Sequence, residues 1–389
     1  MYGQVFLPSL EDGLVSFDLS ARRARSVDWA QPFDGVLGGA GVHVMDLESD
    51  AWPGQSVVGA GRRGELWRWN PTTCRGEVLE AEIPTTPVKI RSLHTGPDGM
   101  IDIGLSYNAG TMVRFDPVGD RFVRHRPGTT SQTHSHLNLD GKIYFGTYSK
   151  AVLHEYDPAA PYDFGRNPRV VVSLGEQRQD RIFGLAAAGH RVAFGTLGRR
   201  GQASGRFGFF DPDTGHVEDH GEILPGHSIN ALWVHGWTLY GGTSVDTPGA
   251  PPVEPAALVF AWDLETDRLL WSETLSDDVA TIANMVGSAD GGLWLLTTQG
   301  TLVEYDPVRR RTVRSIDVAP PGGHHGLSSL VLAPDGCVYG AAGSERVFAV
   351  DPSDGAVRDL GPGDHITLDR AGTPYVSRNA ELGRIAALG

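Results

Sequence analysis

The segment Ser131-Gln-Thr-His-Ser-His136 carries the side chains best suited to chemistry. Alternate residues of a β-strand share a face, so His134 and His136 are predicted to project on the same side. Neutral imidazoles placed in this way suit a metal ion, and a histidine with a shifted pKa suits proton transfer near neutral pH. A pair of histidines hydrogen-bonded to water is the plainer alternative. The segment therefore marks both histidines as candidate catalytic residues.

A repeated turn indicates which elements must position these residues. Eight short apolar strands end at an aspartate or asparagine, often followed by proline: Asp18, Asn70, Asp116, Asp157, Asp211, Asp263, Asp306 and Asp351. Their spacings are 52, 46, 41, 54, 52, 43 and 45 residues, which is the period of a four-stranded propeller blade. Asp and Asn side chains bond the backbone two residues further on, so each position predicts a hairpin turn.

The repeat predicts an all-β fold, a β-propeller that forms a single domain over residues 1–389. Eight four-stranded blades are expected, with the ring closed by pairing of N-terminal and C-terminal strands, because a propeller removes its open edge in this way. Residues 4–29 and 365–388 supply the strand-like runs for that composite blade. They offer six runs where about four are needed, so seven blades are the alternative.

Aligning the innermost strand of each repeat on the turn that follows it predicts which residues meet in the central channel. One level contains Arg91, His134, Phe183, Asn230, Ala283 and Ser328. Two residues earlier, toward the mouth, lie Lys89, Gln132, Arg181, Ser228, Thr281 and Gly326, and one step beyond are His227 and His325. Loops joining second and third strands reach the same face and present Tyr107, Asn108 and Tyr148. Ligand sites are common at such loops because rigid strands hold them.

These residue types favour an enzyme that removes a proton beside a carboxylate or carbonyl, which is lyase chemistry. It needs a base, a cation for the enolate-like charge and an acid for the leaving oxygen. The candidate catalytic residues are His134, His136, Arg91, Tyr107 and Tyr148, and the candidate substrate-binding residues are Lys89, Gln132, Arg181, Asn230 and Asn108. A divalent metal would be held by His134, His227 and His325. The substrate would be a small molecule, an oligosaccharide or a cyclic peptide. A non-catalytic scaffold for a protein or peptide partner is the alternative.

The net charge and the hydropathy of the chain argue against nucleic acid and membranes as binding partners. The net charge of -14 argues against nucleic acid and anionic membranes as partners. No stretch approaches the roughly 20 apolar residues that span a bilayer, and the N-terminus lacks a basic segment followed by an apolar run. A cytoplasmic protein without membrane association is expected.

Two sets of residues carry a resemblance to known families. Gly141-Lys-Ile-Tyr-Phe-Gly146 followed by Tyr156-Asp-Pro158 resembles repeats of the propeller superfamily that contains streptogramin B lyases and quinoprotein-like proteins. Ala261-Trp-Asp-Leu-Glu-Thr-Asp-Arg-Leu-Leu-Trp271 is similar to one quinoprotein tryptophan-docking repeat. Because only one repeat has that spacing, bound pyrroloquinoline quinone is not expected. The His, Tyr and Arg set is also similar to that of propeller polysaccharide lyases, which implies lyase activity, often with a divalent metal.

Overall fold

The computed structural model describes residues 4–9, 13–26, 42–61, 65–79, 87–106, 111–126, 131–249, 251–288, 290–321, 328–343 and 346–385. Strands and turns make up these ranges, which contain no helix and hence no helix that could cross a membrane. The chain separates into two compact units, Met1–Thr86 and Pro87–Gly389. Each is described by itself, and the single domain over residues 1–389 stays a prediction.

The first unit contains two antiparallel sheets. Its strands are β1 (Gln4–Ser9), β2 (Gly13–Asp18), β3 (Arg23–Ser26), β4 (Val42–Asp46), β5 (Gln55–Ala60), β6 (Leu66–Asn70) and β7 (Arg75–Leu79). Strands β1 to β3 form one sheet and β4 to β7 the other. In the second sheet Trp67 and Trp69 are buried, and the Asn70 amide donates to Ser56 Oγ at 2.9 Å.

The second unit contains seven sheets among its described residues, six with four strands and one with three. The first is β8 (Ile90–Thr95), β9 (Ile101–Leu105), β10 (Met112–Asp116) and β11 (Arg121–His125); the second is β12 (Gln132–Leu139), β13 (Lys142–Tyr148), β14 (Val152–Tyr156) and β15 (Arg169–Ser173). The third is β16 (Gln179–Ala188), β17 (Arg191–Gly198), β18 (Phe207–Phe210) and β19 (Val217–Gly221); the fourth is β20 (Ser228–His235), β21 (Thr238–Ser244), β22 (Leu258–Asp263) and β23 (Arg268–Thr274). The fifth is β24 (Ile282–Gly287), β25 (Leu293–Thr297), β26 (Thr301–Asp306) and β27 (Arg311–Asp317); the sixth is β28 (Ser328–Leu332), β29 (Val338–Ala342), β30 (Arg346–Val350) and β31 (Val357–Gly361); the seventh is β32 (His365–Leu368), β33 (Pro374–Arg378) and β34 (Glu381–Arg384).

The core lies in layers between consecutive sheets. Strand β16 alternates buried and half-buried residues from Ile182 to Ala188, which suits a strand packed on one face, whereas the outer strand β27 is mostly exposed. Phe207 packs edge-on against Phe260 and Trp262, with ring centroids 6.2 and 5.0 Å apart. Burial of one such aromatic side chain contributes roughly 1.5–3 kcal/mol. Aromatic contact therefore holds the third sheet against the fourth.

The first strands of the seven sheets follow one another in a cycle. Hydrogen bonds join successive sheets, for example from Ser135 Oγ to the Ile182 carbonyl at 2.8 Å and from the Ile366 amide to Ser329 Oγ at 2.8 Å. The seventh sheet in turn meets the first, because Thr95 Oγ1 donates to the Leu368 carbonyl at 2.6 Å. The second unit is therefore a β-propeller of seven sheets, with β8, β12, β16, β20, β24, β28 and β32 lining its channel.

All eight predicted turns are present. In each turn the Asp or Asn Oδ1 accepts a hydrogen bond from the backbone amide two residues on. The donors are Ser20, Thr72, Val118, Ala159, Asp213, Glu265, Val308 and Ser353. The turn chemistry read from the sequence is therefore confirmed, and with it the β-propeller.

The predicted closure by pairing of the two chain ends is not confirmed. The ladders of β1–β3 stay within one sheet and those of β32–β34 within another, as far as the described residues extend. Over the same residues the whole chain has seven four-stranded sheets and two three-stranded sheets. In the second unit the ring closes through contact between the inner strands β32 and β8. This unit has seven sheets, the number predicted as the alternative to eight blades.

Candidate functional site

A β-bulge interrupts the innermost strand of five consecutive sheets. At matching positions the pairing register between first and second strands skips a residue, namely Arg91, His134, Phe183, Asn230 or Ala283, and β16 also skips Asp180. A bulged residue leaves the ladder and its side chain is re-aimed. The propeller thus presents one residue per sheet at the same height.

These five residues line one cavity in the channel. Asn284, Ser328 and His365 complete its wall. All six residues aligned from the sequence at this level are therefore brought together, and the seventh sheet adds His365.

Glycines on second strands permit the close approach that builds this wall. A Cβ on Gly146 would lie 2.7 Å from Ile182 Cβ, and a Cβ on Gly195 would lie 2.8 Å from the Ile229 carbonyl oxygen. Real Cβ atoms do not approach other atoms so closely. Each glycine faces the next inner strand just before its bulge, so any larger residue would displace that strand.

The cavity wall contains polar atoms that no other described residue engages. Asn230 is 4% exposed, and both its Oδ1 and its Nδ2 lack a hydrogen-bond partner within the described ranges. Outside the wall, Gln132 Nε2 on β12 and Ser228 Oγ on β20 are also buried without a hydrogen-bond partner among the described residues. Because buried polar groups in native proteins are nearly always satisfied, such a group indicates a place for a ligand.

His365 is a buried imidazole that stays neutral at neutral pH. It is 3% exposed, and burial lowers its pKa to about 4; Asp364 opposes this shift, while Lys89 and Arg91 add to it. Nε2 has no partner among the described residues, and a hydrogen bond with the Ser328 backbone occupies the other side of the ring. A neutral imidazole held in this way offers the Nε2 lone pair to the cavity.

Arg91 supplies positive charge to the same wall. Its Nε donates to Ser106 Oγ at 2.9 Å, and its guanidinium is close enough to depress the pKa of His365. His134 contributes a second imidazole, with Nε2 3.1 Å from Gln132 Oε1 and its ring edge-on to Phe183 at 5.0 Å. A cation and two imidazoles thus share the cavity.

Three predicted substrate-binding residues, Lys89, Gln132 and Arg181, lie outside the cavity wall. The charges of Lys89 and Arg181 are engaged elsewhere. Lys89 pairs with the buried Asp364 at 3.0 Å, which joins the first sheet of the second unit to the seventh. Arg181 pairs with Asp180 at 2.9 Å and stacks over the Tyr148 ring at 4.3 Å. Tyr148, predicted as a catalytic acid, is therefore covered by a cation and is not part of the cavity wall.

His136 is separated from His134. It lines a different cavity, between the first two sheets of the second unit, and its ring stacks on His94 with centroids 5.3 Å apart and planes 3° apart. Burial, followed by the neighbouring His94 and His365, holds the pKa of His136 well below the usual histidine value. The shared cavity expected for the two histidines is not found, because His134 is the bulged residue of its strand.

The predicted metal ligands are not assembled among the described residues. His227 has Nδ1 3.1 Å from the Pro225 carbonyl and Nε2 3.2 Å from the Ala256 carbonyl, so both ring nitrogens face backbone oxygens. No three His, Cys, Asp or Glu side chains within the described ranges are grouped as metal ligands. His325 lies outside the described residues, as do Tyr107 and Asn108, and the metal site stays a prediction.

Sequence reasoning missed His365 and Asn284. Asn284 follows the bulged Ala283, and its Nδ2 donates to Ser328 Oγ at 2.7 Å. His365 begins the inner strand of the seventh sheet, which ends at the turn where Asp369 Oδ1 accepts from the Ala371 amide. Aligning on that turn would have added His365 to the channel level.

Comparison with known proteins identifies a fold and no family. Neither a protein-family model nor a curated protein matches the sequence. Among solved structures, the chain is similar to the crystal structure of the WD40 β-propeller domain of Doa1, with a TM-score of 0.55 and 13% sequence identity; the match covers 78% of this chain and 94% of that one. A likeness at this identity carries the β-propeller fold alone.

Proposed function

We propose that the channel cavity binds a small molecule and removes a proton from the carbon beside its carbonyl or carboxylate group, as the first step of a lyase reaction. The observation that carries this proposal is the pairing of Arg91 with a buried, neutral His365 whose Nε2 is not engaged by any described residue. Proton abstraction needs these two groups together, a base of matched protonation state and a cation for the oxygen that gains charge.

Three residues of the wall have roles in the proposed reaction. His365 Nε2 accepts the proton, and the Arg91 guanidinium stabilises the enolate-like oxygen. His134, the second imidazole of the wall, in its protonated form donates its own proton to the leaving atom as the bond from that atom to the neighbouring carbon breaks and a carbon–carbon double bond forms. His365 and Asn230 in the wall are buried, and the low local dielectric constant strengthens the attraction between the guanidinium and the developing negative charge.

Hydrogen–deuterium exchange tests the proposal without requiring the complete reaction. Wild-type protein is incubated in D₂O with a panel of small carboxylates, ketones and lactones, and deuterium at the carbon beside the carbonyl is measured by mass spectrometry. We expect exchange with at least one class, reduced about 100-fold or more in His365→Gln and in Arg91→Gln.

Matched substitutions distinguish this effect from general damage. His190→Gln and Arg121→Gln change exposed side chains, and both should exchange at the wild-type rate. Equal exchange in the His365→Gln protein and the wild type would remove His365 as the base. A panel with no exchange above the buffer rate would contradict the proposed reaction.

A scaffold without catalysis is the second candidate, favoured by two large exposed side chains on neighbouring sheets. Trp237, in the turn after β20, is 68% exposed, and Val308, in the turn after β26, is 85% exposed. Aromatic side chains of this kind are common hot spots of protein interfaces. If the scaffold function holds, Trp237→Ser should abolish co-purification of a partner from the native host while Arg91→Gln retains it.

A further inference from the structure

The side-chain amide of Asn230 is the group in the cavity wall that best indicates what the cavity binds. Its Oδ1 and Nδ2 are both buried and both without a partner among the described residues, so exchanging the two atoms would not satisfy either one. The bulge between Ile229 and Ala231 takes this residue out of the ladder and turns it toward the cavity. A buried amide left in this state is costly unless a bound molecule supplies both an acceptor and a donor.

Asn284 offers a contrast within the same wall. It has the same side chain and lines the same cavity, but its Nδ2 donates to Ser328 Oγ at 2.7 Å. Its amide donor is therefore engaged within the protein, whereas that of Asn230 is available to a bound molecule.

The geometry of a primary carboxamide restricts what can pair with it. One N–H and the carbonyl oxygen lie on the same edge of the amide, so the matching group must carry an acceptor and a donor side by side. A cis amide in a ring, as in a lactam or a cyclic imide, has this arrangement. A trans amide places its N–H and C=O on opposite sides, and an ester or carboxylate offers acceptors alone.

We propose that the channel cavity recognises a lactam-type ring, with Asn230 making two antiparallel hydrogen bonds to its cis amide. Phe183 lies on the neighbouring inner strand and adds an aromatic wall for the ring. This inference rests on the proposed function in one respect, that the same cavity is the binding site, and it names the class of molecule bound.

Three five-membered rings of nearly equal size test the proposal on the intact protein. The probes are 2-pyrrolidinone, which carries the cis amide, γ-butyrolactone, in which oxygen replaces the N–H, and cyclopentanone, which has the carbonyl alone. Titration followed by ligand-observed NMR gives the three dissociation constants. We expect the lactam to bind about tenfold more tightly than the lactone, as a bidentate hydrogen-bonded pair provides.

Two variants locate the preference. Asn230→Asp should lose the preference for the lactam, because a carboxylate has no donor to give to the ring carbonyl. Asn138→Asp makes the same change at an exposed amide of β12 outside the cavity wall, and it should keep the wild-type ratio of lactam to lactone affinity. Circular dichroism and thermal unfolding confirm that each variant is folded before titration.

The outcomes separate this inference from the proposed reaction. Equal affinity for lactam and lactone in the wild type, or no saturable lactam binding, overturns the inference, and neither result depends on the folding of a variant. Deuterium exchange that still requires His365 and Arg91 would then leave the proposed reaction intact. A lactam preference lost in Asn230→Asp, with no exchange on any compound, supports the recognition and overturns the reaction.

Discussion

Two arginines of the second unit, the buried Arg114 and the half-buried Arg91, have opposite surroundings. Arg114, 2% exposed, donates through its guanidinium to Asp98 at 2.8 Å and to Asp102 at 2.7 Å. Arg91 lines the channel cavity together with Asn230 and His365; the Asn230 amide and His365 Nε2 have no partner among the described residues. The first cluster satisfies its groups internally, which is what a structural ion pair requires. The second keeps hydrogen-bonding capacity for a bound molecule.

The largest expected loss of stability concerns the ion-pair cluster of Arg114, Asp98 and Asp102. Arg114→Met leaves Asp98 and Asp102 without their cation, and the free energy of unfolding should fall by about 3–5 kcal/mol. Urea unfolding followed by tryptophan fluorescence measures the change. The double variant Arg114→Met/Asp102→Asn should recover part of the loss, because one uncompensated carboxylate is removed. Wild-type stability in Arg114→Met would contradict a structural role for the cluster.

The next effect concerns the packing that builds the cavity wall. In Gly195→Ala the new Cβ would lie 2.8 Å from the Ile229 carbonyl oxygen, one residue before Asn230. The inner strand must then shift, and a loss of about 1–3 kcal/mol is expected. Gly383→Ala is the matched control, since its Cβ would lie 3.9 Å from the Val376 carbonyl oxygen. Equal urea midpoints for the two variants would show that the close approach is not needed.

Acid should destabilise the fold through its buried histidines. Burial lowers the pKa of both His154 and His365 to about 4, so between pH 6.5 and 4 the unfolded chain binds more protons. The stabilisation is complete above pH 6.5 and falls by about 1.4 kcal/mol per pH unit for each histidine as the pH decreases through this window. Asp102 acts in the opposite sense, because burial raises its pKa to about 6 despite Arg114.

Unfolding free energies at pH 7 and pH 5 measure this slope. His154→Phe should reduce the pH dependence of the unfolding free energy by the contribution of one histidine. His154 is chosen because it stacks on Phe145, with ring centroids 4.8 Å apart, and lies outside the channel cavity. An unchanged slope in His154→Phe would show that His154 does not become protonated over this range.

The smallest expected effect on stability concerns Arg91 in the channel cavity. Arg91→Met removes one side-chain hydrogen bond, to Ser106, so the free energy of unfolding should change by about 1 kcal/mol or less. Arg121→Gln, which breaks an exposed ion pair with Asp116 at 3.4 Å, is the control that shows how much a surface substitution changes the free energy of unfolding. If Arg91→Met destabilised the protein as much as Arg114→Met, the contrast between the two clusters would fail.

Much of the fold could be predicted from short-range chemistry. Asp116 and Asp306 end strands and bond the backbone two residues on, which depends only on local sequence. The same turns gave the alignment that groups Arg91, His134 and Asn230, and the structure brings these residues to one cavity. The roles assigned to them stay predictions.

Other parts of the site could not be predicted, because they depend on contacts distant in sequence. His134 and His136 are two residues apart, yet a bulge assigns them to different cavities. Tyr148 has the residue type of an acid, but the Arg181 guanidinium covers its ring at 4.3 Å. Local patterns do not specify which neighbour a side chain meets.

The sequence by itself determined the repeat, the turns and the residues that reach the channel, because turn preference and strand alternation are properties of adjacent residues. The tertiary structure alone decided which polar groups are engaged. Whether Arg114 finds two carboxylates and Asn230 finds none of the described side chains depends on how neighbouring sheets meet. Burial then turns that difference in partners into a difference in function, since an unpaired group matters only where water is excluded.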